Sequence, residues 1–192
     1  ISGAYSIPVA ENGEFLGIRI REVHLEEDPA AWNPETGNID YNRAGVPLVE
    51  IVTEPDFTSS EQVEHWLRQL ILTLSYIKAL NKDAGIKSDV NVNIKNTVRT
   101  EIKNVNSITE IVKSIISEIK RHEKEKPIIQ ETRRWNSITN KTELMRTKEQ
   151  AADYRFIPDP DLPVIKITKK RIEEIEKNLP ESPQVKLEKI IK

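Results

Sequence analysis

Alternating apolar positions predict the first long strand of the chain, and one break in the alternation predicts an irregularity in it. The apolar residues are Ile18, Ile20, Val23 and Leu25. Because the phase slips once between Ile20 and Val23, we expect a β-bulge at Arg21-Glu22. After the slip, one face carries Val23, Leu25 and Glu27, and the other carries His24, Glu26 and Asp28.

A second strand-like run, Val46 to Val52, is apolar except for Glu50. At period two, Glu50 shares a face with Leu48 and Val52. If that face is buried, the carboxylate must be neutralised, paired or bound to a cation, because an unpaired charge removed from water costs several kcal/mol or more. If the strand lies at an edge, Glu50 simply faces solvent, and the pattern alone does not decide between the two.

Two capping boxes predict the two main helices. The first, Thr58-Ser59-Ser60-Glu61, begins a helix with the apolar stripe Val63, Trp66, Leu67, Leu70, Ile71, Leu74 and Ile77. The second, Ser107-Ile108-Thr109-Glu110, begins a helix with the inward stripe Ile108, Ile111, Val112, Ile115, Ile116 and Ile119. We expect its charged end, residues 120–126, to be solvated, and His65 and His122 to occupy exposed positions.

Two further alternating segments, Ser88 to Lys95 and Arg99 to Lys103, predict a hairpin with one polar face. A three-residue turn at residues 96–98 would pair Lys95 with Arg99, Asn93 with Glu101 and Asn91 with Lys103. The polar face would then carry Asp89, Asn91, Asn93, Lys95, Arg99, Glu101 and Lys103. Such faces commonly look at water, but Asn forms strands poorly, which favours a cleft lining here.

Composition narrows the classes of protein. With 37% hydrophobic residues among 192, the chain suits one large domain, or one domain and the start of another. A net charge of −2 gives no overall field for nucleic acid. No cysteine is present, which suits a cytoplasmic protein, and no apolar stretch approaches the length of a membrane span. Because the chain starts at Ile1 and ends within an amphipathic pattern, we expect a fragment cut at both ends.

Three oxygen-rich segments suggest phosphoryl chemistry. We expect Glu26-Glu27-Asp28, Glu50 and the polar hairpin face to converge, since clustered carboxylates repel one another unless a cation such as Mg²⁺ lies among them. Complementary cations for a phosphoryl group are Lys95, Arg99, Lys103 and Arg155. No P-loop or dinucleotide-binding glycine motif occurs. For the acidic triplet taken alone, a strand end in water is the commoner explanation, because charged runs are frequent at the ends of elements.

Longer motifs identify a family. The segments that carry the resemblance are His24 to Asp28, Asp40 to Asp56, Glu101 to Ser107 and Asp153 to Pro163. In this order they closely resemble the B subunits of aspartyl/glutamyl-tRNA(Asn/Gln) amidotransferases. The related archaeal E subunits share the first half, but the version from Arg146 to Pro163 is similar to that of the B subunits.

The resemblance implies an α+β fold, with an antiparallel-sheet cradle akin to glutamine synthetase and guanido kinases. Residues 1–167 would form the cradle domain without its N-terminal part, and residues 168–192 would begin a helical domain. Within the helical part, the patterns from about Lys169 to Leu179 and from Pro183 onward predict two short helices, the second capped by Ser182.

The resemblance also implies an activity, that of an ATP-dependent carbon-nitrogen ligase with glutamine as amido donor. ATP would phosphorylate the side-chain carboxylate of Glu-tRNA(Gln) or Asp-tRNA(Asn), and ammonia from the glutaminase subunit would displace the phosphate. The cofactors would be ATP and Mg²⁺. The partners would be the A and C subunits and the misacylated tRNA, with no membrane involved.

Residue by residue, Glu27 and Glu50 look like metal ligands of this family, with Glu26 near a second metal position. The family's Glu-x-His ligands near its N-terminus have no counterpart, so we expect residues 1–192 alone to be inactive. We further predict that Lys103 and Arg155 steady the phosphoryl oxygens beside Glu101. The predicted nucleotide-binding residues are Asp89, Asn91, Asn93, Arg99 and Lys103.

Two other functions agree with the same residues. The chain could be a non-catalytic tRNA-binding or assembly module with an inert acidic cluster, or a ligase that acts on a free amino acid. Loss of metal binding in Glu27→Gln or Glu50→Gln would favour the enzyme over the module. Dependence on tRNA would separate it from the free-standing ligase.

Overall fold

The computed structural model describes residues 3–4, 7–28, 30–33, 35–81, 85–147 and 163–191, with side chains from residue 7 onward. The fold is α+β and contains two compact units. The first unit comprises Ile1–Asp56 and Tyr154–Leu179, and the second comprises Phe57–Asp153 and Pro180–Lys192. In the described part of the chain, no helix is both long and apolar enough to cross a membrane.

The first unit is built around one long strand. Its strands are β1 (Gly3–Ala4), β2 (Ala10–Phe15), β3 (Ile18–Glu27), β4 (Ala31–Trp32), β5 (Ile39–Asp40) and β6 (Pro47–Thr53), and its helix is α3 (Lys169–Asn178). Strand β3 pairs antiparallel with β6, β2 and β1, while β4 and β5 form a separate pair. Leu16 and Gly17, both at positive φ, make the two-residue turn between β2 and β3.

The predicted bulge in β3 is confirmed. The register of β3 against β6 shifts between Ile20 and Glu22, where the hydrophobic phase slips in the sequence. Two ion pairs then hold β3 to the segment after β6: Arg19 to Asp56 at 2.6 Å and Arg21 to Glu54 at 2.8 Å.

The second unit contains a mixed sheet. Its elements are α1 (Ser60–Tyr76), β7 (Ser88–Val92), β8 (Thr100–Val105), α2 (Ile108–Glu125), β9 (Glu131–Asn136), β10 (Lys141–Thr147) and α4 (Pro183–Ile191). The strand order is β10-β9-β8-β7. Strands β8 and β9 run parallel because α2 crosses between them, so this sheet is not the all-antiparallel one that was expected.

One face of the mixed sheet packs against α2 and forms the core. The buried apolar residues are Val92, Ile102, Val105, Ile111 and Ile115. Partly buried residues of α1, α2 and the sheet surround them: Val63, Leu67, Val90, Ile119 and Trp135. The inward stripes predicted for both main helices therefore meet in this core.

The helix caps follow the sequence closely. Ser107 accepts a hydrogen bond from the Glu110 N–H at 3.2 Å, as the second capping box predicts. Helix α1 begins one residue later than predicted, because Ser59 rather than Thr58 is its cap and accepts from the Gln62 N–H at 3.1 Å. Helices α3 and α4 lie where the two short helices were predicted, and Ser182 caps α4.

The predicted register of the β7–β8 hairpin is wrong by two residues. Asn91 lies opposite Glu101, not opposite Lys103, and β7 ends at Val92. The connection is longer than three residues because Thr97 closes its own turn: Thr97 Oγ1 accepts from the Ile94 N–H at 3.0 Å and donates to the Ile94 carbonyl at 2.9 Å. A shift of two preserves the faces, so the polar face survives the correction.

The charged end of α2, residues 120–126, is solvated as expected except at Arg121 and His122. His122 is 0% exposed, and the side chain of Arg121 is only 10% exposed. Both turn toward the sheet, where Glu131 of β9 pairs with Arg121 at 3.1 Å and is itself held by Arg133 at 2.8 Å. His65, in contrast, lies at an exposed position of α1, as predicted.

Candidate functional site

The polar face of the mixed sheet lies on the side away from α2. On β7 and β8, Asn91 pairs with Glu101. On β8 and β9, Glu101 pairs with Thr132 and Lys103 pairs with Arg134. Residues between them, such as Ile102, point to the core and are buried. Strand alternation therefore brings the predicted hairpin residues together on one surface.

Lys103 lies at the centre of this face, between two carboxylates. Its Nζ is 2.5 Å from Asp89 Oδ2 and 2.9 Å from Glu101 Oε1. Asp89 reaches it from a bulge in β7, and Asp89 Oδ1 also accepts from the Asn104 N–H at 3.0 Å. Glu101 accepts a further hydrogen bond, from Thr132 Oγ1 at 3.3 Å.

The three charged groups remain partly open to solvent. The side chains of Lys103, Asp89 and Glu101 are 29%, 43% and 25% exposed. Burial disfavours the ammonium form of Lys103, but the hydrogen bonds to Asp89 and Glu101 outweigh it and raise the pKa of Lys103. The lysine is therefore charged at neutral pH, and the group of three carries a net charge of −1.

The connection between β7 and β8 carries two more of the predicted residues. Asn93 and Arg99 are both exposed and lie outside the paired strands. The predicted hairpin included both residues in its paired strands. Because the observed connection is longer, neither residue belongs to a strand. Arg155 lies outside the described residues, as does the family-like segment Asp153 to Pro163 except for its last residue.

The predicted metal ligands belong to the first unit, on β3 and β6. Glu50 is exposed on β6, which among the described strands pairs only with β3. Of the two interpretations of its strand, the edge position is thus the one observed. Glu50 lies opposite His24, and Glu26 lies opposite Leu48 on the same face.

His24 brings an imidazole to this face. Its Nε2 lies 2.9 Å from Glu22 Oε2, and its Nδ1 is buried without a hydrogen-bond partner among the described residues. A buried polar nitrogen that lacks a partner is costly unless a ligand or water satisfies it. The face therefore carries two carboxylates and an imidazole whose Nδ1 is buried.

Glu27 does not share that face. It pairs with Pro47, one position along β3 from Glu26, and so lies on the opposite side of the sheet from Glu50. Its Oε1 lies 3.2 Å from where a Cβ on Gly45 would be, and Gly45 has a φ of +79°. A side chain at residue 45 would meet both a strained backbone and the Glu27 carboxylate.

Within the described ranges, no group of three or more His, Asp or Glu side chains is positioned to hold a metal ion. Glu26 and Glu50 share a face and Glu27 does not, so the three predicted ligands do not form one cluster on β3 and β6. The assignment of Glu26, Glu27 and Glu50 as metal ligands stays a prediction.

The sequence patterns missed the other half of the polar face, which β9 and β10 supply. Arg134, beside Lys103, forms an ion pair with Glu143 at 2.8 Å, and Asn136 donates to Glu143 at 2.6 Å. Asn136 also makes the turn to β10 by accepting from the Ile138 and Thr139 N–H groups. An Asn at the start of a polar turn between two short segments was the available signal for this hairpin.

Comparison with known proteins places the chain in a family. The family described as "GatB/GatE catalytic domain" matches residues 2–173. The B subunit of the aspartyl/glutamyl-tRNA(Asn/Gln) amidotransferase from Methanopyrus kandleri is 47% identical over 184 residues, which cover 93% of this chain and 40% of the relative. The B subunit of the same amidotransferase from Methanothermobacter thermautotrophicus is 43% identical over 190 residues, covering 97% and 42%.

A third relative, the B subunit from Methanocaldococcus jannaschii, is 43% identical over 197 residues, covering 97% of this chain and 41% of the relative. The chain thus spans about two fifths of the length of the curated relatives it matches. A match over residues 2–173 together with identities of 43–47% shows that the chain belongs to the GatB/GatE catalytic-domain family.

Proposed function

We propose that the chain is part of the B subunit of a tRNA-dependent amidotransferase, which converts Glu-tRNA(Gln) or Asp-tRNA(Asn) to the amidated form. Membership of the GatB/GatE catalytic-domain family is the observation that carries this proposal. The partly exposed Asp89, Lys103 and Glu101 support it, since they supply a cation held by carboxylates on an accessible sheet face. The proposal includes a cradle over residues 1–167, a helical part from residue 168, and the A and C subunits as partners.

The proposed reaction has two steps. In the first, a carboxylate oxygen of the tRNA-borne side chain attacks the γ-phosphorus of ATP, the bond from that phosphorus to the bridging oxygen breaks, and ADP leaves. In the second, ammonia released from glutamine attacks the acyl carbon, the carbon–oxygen bond to phosphate breaks, and the nitrogen loses a proton. The product is the amide, together with ADP and phosphate.

Lys103 is proposed to contact the transferring phosphoryl group. An ammonium has three donors, and Asp89 and Glu101 take two of them. The third can donate to a phosphoryl oxygen while the two carboxylates hold the ammonium in position. Charge spreads over those oxygens in the transition state, so a positioned cation lowers the barrier. Arg99 and Arg155 are proposed as further cations, with Asn91 and Asn93 as polar contacts to the nucleotide.

Two carboxylates on β3 and β6 are proposed as ligands of a divalent cation. Glu26 and Glu50 offer oxygens on one face of this strand pair, although the described residues form no group of three metal ligands. Carboxylate oxygens are the ligands that Mg²⁺ prefers. When bound, Mg²⁺ would offset negative charge on phosphate oxygens. The contribution of the chain is to hold these donors on two paired strands.

Replacement of Lys103 tests the proposed role in phosphoryl transfer. In the complete amidotransferase, Lys103→Ala is expected to lower ATP-dependent acyl-phosphate formation roughly 100-fold or more, as losing one preorganised donor does. The matched control is Lys113→Ala, which removes an exposed ion pair with Glu110 on α2. Acyl-phosphate formation can be measured by trapping with hydroxylamine. Undiminished formation in Lys103→Ala would contradict the role.

Three glutamine variants test the metal ligands. If the face of Glu50 holds the cation, Glu50→Gln and Glu26→Gln will weaken Mn²⁺ binding, and Glu27→Gln will not, because Glu27 lies on the other face. If Glu27 and Glu50 act together, as the family resemblance implies, Glu26→Gln will be the silent variant. Electron paramagnetic resonance of Mn²⁺ with the complete enzyme measures the difference. Wild-type enzyme that binds no Mn²⁺ would favour the non-catalytic module.

A further inference from the structure

His122 is a buried histidine that joins three elements behind the candidate site. It lies on the last turns of α2 and is 0% exposed. Its Nδ1 is 2.8 Å from Thr97 Oγ1, in the connection between β7 and β8. Its Nε2 is 2.9 Å from Thr100 Oγ1, at the start of β8. One imidazole thus contacts both ends of the segment 97–100.

The hydrogen bonds of Thr97 identify which ring nitrogen carries the proton. The hydroxyl of Thr97 donates to the Ile94 carbonyl at 2.9 Å. Because a hydroxyl has one hydrogen, it must accept from His122, so Nδ1 carries the proton. On the other side, Thr100 Oγ1 accepts from Arg121 Nη2 at 3.0 Å and can donate its own hydrogen to Nε2. A neutral imidazole with its proton on Nδ1 satisfies both threonine contacts, whereas the Glu118 carboxylate, whose Oε1 lies 3.2 Å from Nε2, favours a proton on Nε2.

Fixed charges around His122 keep α2 in place. Glu118, also 0% exposed, accepts from Arg121 Nη2 at 2.6 Å and from Thr142 Oγ1 of β10 at 2.6 Å. The end of α2 also anchors the connection directly, since the Val98 N–H donates to the Pro127 carbonyl at 3.0 Å. Helix, connection and strand are therefore held by paired groups at several points.

The segment that His122 holds carries the proposed phosphate contacts. Arg99 lies between Thr97 and Thr100, and Glu101 and Lys103 follow on the opposite face of β8. We propose that neutral His122 is a positioning residue for nucleotide binding, because it fixes Thr97 and Thr100 from behind the sheet and thereby holds Arg99 and the start of β8. This inference rests on the proposed function and adds a residue that does not itself contact substrate.

The environment of His122 favours the neutral form. Burial lowers the pKa of His122, and the charge of Arg121 acts in the same direction, whereas Glu118 and Glu131 oppose it. The imidazole is thus neutral at pH 7, in keeping with the hydrogen-bond pattern.

The tautomer is the first test. Histidine labelled with ¹⁵N is introduced into the full-length subunit, and the His122 signals are assigned by their loss in His122→Gln. The expected spectrum at pH 7 has a protonated Nδ1 and an unprotonated Nε2. An Nε2–H tautomer or a doubly protonated ring at this pH would overturn the inference, and this readout does not depend on activity.

Kinetics of a milder variant are the second test, since His122→Gln can affect folding. Thr97→Val keeps the side-chain volume and removes the hydroxyl through which His122 holds the turn with Ile94, so both sets of contacts are lost together. In the complete enzyme we expect the KM for ATP to rise about fivefold to tenfold with kcat changed less than about twofold, because binding rather than the chemical step loses its support. Thr97→Ser should restore the wild-type KM, and Thr109→Val, at an exposed position of α2, should leave it unchanged.

An unchanged KM in a folded Thr97→Val enzyme would overturn the inference. Lys103→Ala separates this outcome from failure of the proposed function. If Lys103→Ala abolishes acyl-phosphate formation while Thr97→Val has no effect, the proposed reaction is supported and the positioning role of His122 is wrong. If neither variant has an effect, both the positioning role and the proposed phosphate-binding face are wrong.

Discussion

On one face of the mixed sheet, Lys103 lies 2.9 Å from Glu101, and on the other face Arg121 lies 2.6 Å from Glu118. The two ion pairs have similar lengths but different surroundings. The side chains of Lys103 and Glu101 are 29% and 25% exposed, whereas those of Arg121 and Glu118 are 10% and 0% exposed. Water can reach the first pair and is excluded from the second.

This difference separates two uses of the same chemistry. A pair in contact with water contributes little stability and can exchange partners at low cost, so it is able to meet a ligand. A pair removed from water depends on its partners, because either charge alone would be left without solvation. Distance alone therefore does not tell a binding surface from a structural one, and the exposed fraction of the pair does.

Removal of one carboxylate from each face should give the largest contrast. Glu118→Ala removes a fully buried carboxylate and leaves the Thr142 hydroxyl without its acceptor, while Arg121 keeps Glu125 and Glu131 as partners. We expect it to lower the free energy of unfolding by about 3 kcal/mol. Glu101→Ala leaves Lys103 paired with Asp89 in contact with water, and the expected change is below about 1 kcal/mol. Denaturant unfolding of the two variants measures both values. Equal losses would remove the distinction between the faces.

Threonines on the two faces offer a milder test. Thr142→Val removes a hydroxyl that donates to Glu118 at 2.6 Å and accepts from Arg133 at 2.9 Å, so we expect a loss of about 1–3 kcal/mol. Thr132→Val removes a 3.3 Å hydrogen bond to Glu101, and we expect a change within about 0.5 kcal/mol. The midpoint temperatures of thermal unfolding of the two variants measure this difference. A larger loss in Thr132→Val would reverse the comparison.

Acidification from about pH 7 to 5.5 should produce the smallest effect, through His122 on the buried face. Because burial lowers the pKa of His122 in the folded protein, the unfolded chain takes up the proton first as pH falls. Stability should therefore decrease as pH drops below the ordinary histidine value of 6.5. The fixed charges that face this imidazole are Arg121, Glu118 and Glu131. In His122→Gln, the free energy of unfolding should lose this decrease between about pH 7 and 5.5.

The matched control for the pH experiment is His65→Gln. His65 is exposed on α1, so its replacement should leave the pH dependence of stability as in the wild type. A flat profile in the wild-type protein over this range would contradict the assignment of a buried neutral imidazole.

The polar face was predictable from the sequence and the buried face was not. Strand alternation assigns each residue of β7 and β8 to a side, and that assignment held even though the register was wrong by two. The register depended on a side chain, the hydroxyl of Thr97, which lengthens the connection. Patterns of apolar residues contain no information of that kind.

The buried face has a signal that is visible only in retrospect. Ile111, Ile115, Glu118 and His122 follow one another at helical spacing, so the inward stripe of α2 continues into charged residues. Strand β9 supplies Arg133, which lies 3.9 Å from Glu118, and Glu131, which pairs with Arg121. It reaches these residues because β8 and β9 are parallel. Mixed charges at the end of a helix are usually solvated. Without knowledge of the strand order, the sequence therefore predicts a solvated end for α2.

The succession of Thr100 and Glu101 along β8 has a consequence for misfolding. If β8 slipped by one residue, every side chain would change face: Glu101 would enter the interface with α2, and Thr100 would turn to water. The same slip would bury Lys103 among the apolar residues that pack on α2, such as Val92 and Ile111, and would bring Ile102, now 0% exposed, to water. Misplaced charge thus destabilises a shifted register of β8. This penalty helps to select the native register.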